Sequence, residues 1–148
     1  MALKTIKQCL DINFLSIEIR KKWDYGRGMS VNKYNSAYHR FSRNMEYIAK
    51  HYPDRTDVFM ELLNHKDPYV VLHCAPKMLM LTNLSIDQKW KALETIKIVL
   101  PTCKASDIDQ MGFQYSIQQW EKELLEEQKN SRTILEDGTN ISGDSDPF

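Results

Sequence analysis

LLNHKDPYVVLHCAPKML, residues 62–79, decides how the chain is read. The Asp67-Pro68 turn ends one apolar run and opens another, and proline is well suited to a first helical turn. Val70, Val71, Cys74, Ala75, Met78 and Leu79 then recur at helical spacing. Three side chains able to bind metal or catalyse, His65, His73 and Cys74, cluster around this turn. A metal site needs several convergent ligands, and a nucleophilic thiolate needs a base and an electropositive setting. His73 and Cys74 are consecutive, so on a helix their side chains diverge by about 100° and cannot share a ligand. Free cysteine is among the most buried residue types, so Cys74 is expected to be buried and inert. His65 falls at a helix C-terminus, where an imidazolium favours the dipole and caps carbonyls. The stretch therefore reads as the corner of a helical repeat, with no catalytic residue, metal or cofactor expected.

On the N-terminal side, SVNKYNSAYHRFSRNMEYIAKHY (residues 30–52) places Val31, Tyr34, Tyr38, Phe41, Met45, Ile48 and Tyr52 at alternating steps of three and four. That spacing predicts a helix of about six turns with all seven on one stripe, Ser30 as N-cap and Pro53 just beyond the end. Before it, residues 10–23 carry two apolar rows (Leu10, Phe14, Ile17 and Ile12, Leu15, Ile19, Trp23), which predict a helix sandwiched between neighbours, stopped by Gly26-Arg27-Gly28. Past Pro53 the helices shorten. Residues 54–64 bear Val58, Phe59, Leu62 and Leu63 on one side. The next helix occupies 69–83. Ser85 and Gln88 form a capping box ahead of Trp90, Leu93, Ile96 and Leu100. A last helix from about Ser106 is expected to bury Ile108, Met111, Tyr115, Trp120 and Leu124. From Asn130 the chain turns polar and acidic, giving a helical domain over 1–129 and a disordered acidic tail over 130–148.

Three cysteines without C-x-x-C spacing, and an N-terminus without signal-peptide regions, point to the cytoplasm. No apolar run approaches the ~20 residues that span a bilayer. The net charge is zero, yet residues 1–55 carry eleven Lys/Arg against five Asp/Glu, and residues 56–148 carry nine against fifteen. Overall neutrality argues against a dedicated nucleic-acid binder. A basic helix with Tyr34, Tyr38 and Phe41 could touch phosphates and stack bases, but those aromatics lie on the apolar stripe and read as core. Phosphate-binding loops, H-E-x-x-H and G-x-S-x-G are all absent from the sequence.

The run Asp67-Pro68-x-Val70-x-x-x-Cys74-Ala75-x-x-x-Leu79 resembles the second-helix pattern of HEAT-like repeats, in which Asp-Pro turns the chain and a small-residue pair allows close helix approach. Residues 10–125 look like a small bacterial family of HEAT-like, armadillo-type domains of unknown function. Asn35, Gly112 and Trp120 match its pattern, whereas Val71 stands where Arg often follows, and Pro76 interrupts the second helix. The resemblance implies an all-α, short right-handed superhelix of about five helices. It further implies a non-catalytic protein-binding module, an immunity-type inhibitor of a bacterial toxin, because such domains often occur near polymorphic toxins. Nucleic-acid binding or processing, as in larger helical-repeat glycosylases, is the alternative. In such an array the second helices line a concave face, so Tyr69, His73, Lys77, Gln114, Gln118 and Glu121, joined by Glu123, Glu126 and Glu127, are the candidate partner-binding residues.

Overall fold

Two reciprocal caps show how this sequence starts its helices. Ser85 Oγ accepts the Gln88 N–H at 3.1 Å while Gln88 Oε1 accepts the Ser85 N–H at 2.9 Å, as the S-x-x-Q spacing predicts. Thr5 and Gln8 repeat the exchange at 3.1 and 2.8 Å, which starts the first helix at Ile6 rather than at Leu10. The computed structural model describes residues 3–24, 31–104 and 109–141, and the side chains of 3–21, 32–33, 35–104 and 109–131. Ser30, Gly26-Arg27-Gly28 and Ile108, and the side chains of Trp23, Val31 and Tyr34, lie outside the described residues.

The described residues are all-helical, with six α-helices where about five were expected: α1 (Ile6–Asp24), α2 (Val31–His51), α3 (Thr56–Leu62), α4 (Pro68–Met78), α5 (Ile86–Val99) and α6 (Gln110–Ile141), with a 3₁₀ turn at Leu100–Thr102. No helix among them is long and apolar enough to cross a membrane. α1 runs antiparallel to α2. At one end Tyr52 Oη donates to the Lys4 carbonyl at 2.6 Å; at the other the Arg20 guanidinium lies 4.8 Å from the centre of the Tyr38 ring. α3 packs on α4, α4 on α5 and α5 on α6, and α1 also touches α4. One apolar core runs through these contacts, with Ile17, Phe41, Met45, Ile48, Phe59, Met78, Leu93, Ile96 and Leu100 almost wholly buried.

Three expectations change. α1 lies against both α2 and α4, with Cys9, Asn13, Ser16 and Ile17 facing the interior, but its second row is incomplete, since Leu15 is exposed. On α2 the stripe holds at Phe41, Met45 and Ile48, but Tyr38 lies largely exposed beneath Arg20. On α6 the buried row is Phe113, Ile117, Trp120 and Leu124, and Met111 and Tyr115 point to solvent. The helix has two apolar rows, and the one at steps of four, three and four reaches α5. Asp109 starts α6, its Oδ1 accepting the Gly112 N–H at 2.9 Å, and its carboxylate lies where a side chain at 112 would go. The backbone of α6 is helical through Ile141, beyond the boundary expected at Asn130, because each added residue extends a helix already nucleated by packed turns. Residues 142–148 lie outside the described residues.

Candidate functional site

The 62–79 stretch folds into a closed corner. Asp67 Oδ1 accepts the Tyr69 N–H at 3.0 Å as the N-cap of α4, and its Oδ2 meets Lys21 Nζ of α1 at 3.0 Å. His65 caps the turn through an acceptor rather than a carbonyl: its Nδ1 accepts the Asp67 N–H at 3.0 Å, and its ring lies 5.5 Å from Phe14. Cys74 is fully buried, and removal from water pushes its thiol up to about 12, far from nucleophilic at neutral pH. No group of three or more His, Cys, Asp or Glu among the described residues could hold a metal ion. Cys74→Ser is expected to lower the unfolding free energy by about 1–3 kcal/mol, since a hydroxyl there lacks a partner, without changing metal content. Denaturant unfolding and elemental analysis together check this.

Three of the sequence-derived partner-binding residues are not on a surface. Tyr69 is 4% exposed and Lys77 is 7% exposed. His73 is largely enclosed: its ring lies 4.5 Å from Tyr69 and 6.1 Å, edge-on, from Phe41, with Nδ1 3.2 Å from the Tyr69 carbonyl oxygen. α4 touches α1, α3 and α5 and meets α2 side chains, so it is a central helix rather than the lining of an open face. A helix buried on most sides must be apolar nearly all round, which its run of Val70, Val71, Leu72, Cys74 and Ala75 already states. Lys77 is accommodated because its ammonium reaches the Glu46 carboxylate at the edge.

The six α6 residues do reach the outside, but on two flanks. At 100° per residue, Gln114, Gln118 and Glu121 fall to one side of the outward line and Glu123, Glu126 and Glu127 to the other. Glu121 is committed to Lys97 of α5 at 2.6 Å, and Glu127 lies 3.5 Å from Lys89. The hydrogen bond that Lys97 donates to Glu121, with Glu94 adding to it, raises the Lys97 pKa. Gln114, Gln118, Glu123 and Glu126 are exposed. The outward side of α6 also carries a feature that the sequence reading missed: Met111, Tyr115 and Leu125, 84%, 66% and 55% exposed, spread over an arc of about 80° that also holds Gln118 and Lys122. The signal was present in the sequence as a second apolar row, about 200° from the Phe113 row. Comparison with known protein families, curated proteins and solved structures gives no match for this chain.

Proposed function

We propose that the chain is a non-catalytic protein-binding module, built as a short HEAT-like superhelix, whose docking surface is the outward face of α6. Its partner is a basic protein, and an immunity-type inhibitor of a basic, nucleic-acid-cleaving toxin domain fits that chemistry. The observation that carries the reading is the three exposed apolar side chains Met111, Tyr115 and Leu125, within an arc of about 80° and about 20 Å of α6, with exposed Glu123 and Glu126 on one flank and Gln114 and Gln118 nearby. An exposed apolar patch with a polar rim is the anatomy of a binding face, and carboxylates at its rim steer a cationic partner. The neighbour-to-neighbour packing of α3, α4, α5 and α6 supports the repeat-like architecture.

A basic, secreted nuclease-type domain is expected to be encoded beside the gene for this chain, and the test titrates that domain against the intact chain calorimetrically at low and high salt. A one-to-one complex is expected. Tyr115→Glu should weaken it at least about tenfold at both salts, as loss of an aromatic anchor does. Glu123→Lys with Glu126→Lys should weaken it chiefly at low salt. Binding indifferent to all three changes, or no binding by that neighbour, overturns the proposal. So does a dimer of the chain itself that Tyr115→Glu converts to monomer, because the face then serves self-association.

A further inference from the structure

The opposite charge collects on α2. Taking 100° per residue, Arg40, Arg43, Tyr47 and Lys50 fall within an arc of about 80°, on the far side of the helix from Ala37, Phe41, Met45 and Ile48. Arg40, Arg43 and Lys50 are exposed, and they span about 15 Å along the axis. Glu46 is the one acidic residue in α2, and its carboxylate is taken by Lys77. On α1, Asp11 is held by Lys7 at 2.9 Å. At one end the arc opens into a cleft of about 550 Å³ between α1 and α2, lined by Ile19, Asn32, Lys33, Ser36 and Arg40. At the other end half-buried Tyr47 and His51 lie with ring centres 4.2 Å apart, and Lys4 Nζ sits 4.5 Å from the Tyr47 ring. Cations in a row, an aromatic step at one end and a cleft at the other match the needs of a charged chain carrying flat rings.

We propose that the outward face of α2 binds the phosphodiester backbone of single-stranded nucleic acid. Arg40, Arg43 and Lys50 meet successive phosphates, and the His51 ring backed by Tyr47 takes a base in stacking contact. The aromatics that read as core in the sequence, Tyr34, Tyr38 and Phe41, play no part. Whole-chain neutrality is no obstacle either, because the positive charge is gathered on one helix and the negative charge on another. The inference uses a different surface from the α6 proposal and stands or falls apart from it.

Fluorescence anisotropy of labelled oligothymidylate and oligouridylate with the intact chain tests it. Binding should weaken with salt along a logarithmic slope of about −2, the value for three phosphate contacts on a single strand. Combined Arg40→Glu, Arg43→Glu and Lys50→Glu should reduce affinity more than about tenfold at low salt with an unchanged circular-dichroism spectrum. His51→Ala should lower affinity several-fold and leave the salt slope intact, whereas Tyr115→Glu should have no effect. The proposal fails if neither oligonucleotide binds. It fails equally if the same charge change at exposed Lys66, Lys91 and Lys129 weakens binding as much, or if polyglutamate competes as well as an oligonucleotide, since the face would then read charge alone or an acidic protein.

Discussion

Asn44→Ala is expected to lower the unfolding free energy by about 3 kcal/mol, a large share of the stability of a domain this size. Asn44 is 3% exposed and ties α1 to α2: its Nδ2 donates to the Cys9 carbonyl at 2.7 Å and to Asn13 Oδ1 at 3.1 Å, and its Oδ1 accepts from Lys4 Nζ at 2.9 Å. The Cys9 carbonyl already belongs to the α1 hydrogen-bond ladder, so the loss of its second donor costs little. Asn13 decides the magnitude. It is 1% exposed, and its Nδ2 has no partner among the described residues, so without Asn44 its Oδ1 is also orphaned in the interior. Each buried polar atom left unmade costs about 1–3 kcal/mol. Replacing Asn13 and Asn44 together by leucine should recover much of the loss, since exchanging both partners for apolar groups is nearly neutral. Urea unfolding of the two variants checks the pair. A double variant no better than Asn44→Ala would mean that the shape of the α1–α2 contact, not its polar pairing, sets the cost.

The same residues mark the limit of what the sequence could say. Helix period and caps were legible because they are local: the Ser85–Gln88 box, the Asp67-Pro68 start and the Phe41, Met45, Ile48 stripe all follow from residues within a turn or two. The Thr5–Gln8 box was equally legible and would have begun α1 at Ile6. Asn13 and Asn44 were not, because two asparagines thirty-one positions apart announce nothing until antiparallel packing brings them together. The exposure expected of Tyr69, His73 and Lys77 was not met for a related reason. Periodicity gives a helix its faces, but only the neighbours decide how many are covered. α4 has more neighbours than a repeat's second helix would, and α6 has fewer, so polar side chains on the first were enclosed and apolar side chains on the second were left outside.

His73 carries the second large effect, which appears as acid sensitivity. Burial pushes its pKa down from the usual value of 6.5 to about 3; the positive charge of Arg20 adds to this, and Asp67 opposes it. The groups around the ring come from three helices: Arg20 from α1, Phe41 from α2, and Tyr69 with the cap residue Asp67 from α4. Nδ1 donates to the Tyr69 carbonyl, and Nε2 has no partner among the described residues, so a second proton would sit on an enclosed nitrogen with nothing to receive its hydrogen bond. The unfolded chain protonates this histidine near pH 6.5 and the folded chain does not until about 3. Its contribution is therefore complete above pH 6.5 and is lost progressively as the pH falls towards 3, at up to about 1.4 kcal/mol per unit. By pH 4.5 the loss reaches about 2–3 kcal/mol. Asp57, whose pKa is lowered by its hydrogen bond to Arg55, loses its own contribution at more acid pH, below the ordinary carboxylate value. The interval from 4.5 to 6.5 thus belongs mainly to the histidine. His73→Phe keeps an aromatic ring between Tyr69 and Phe41 but has no site for the proton, so its urea midpoint should fall much less across that interval than that of the native chain. If the two midpoints fall in parallel, His73 takes up its proton in place, and the junction of α1, α2 and α4 must be open enough to solvate it.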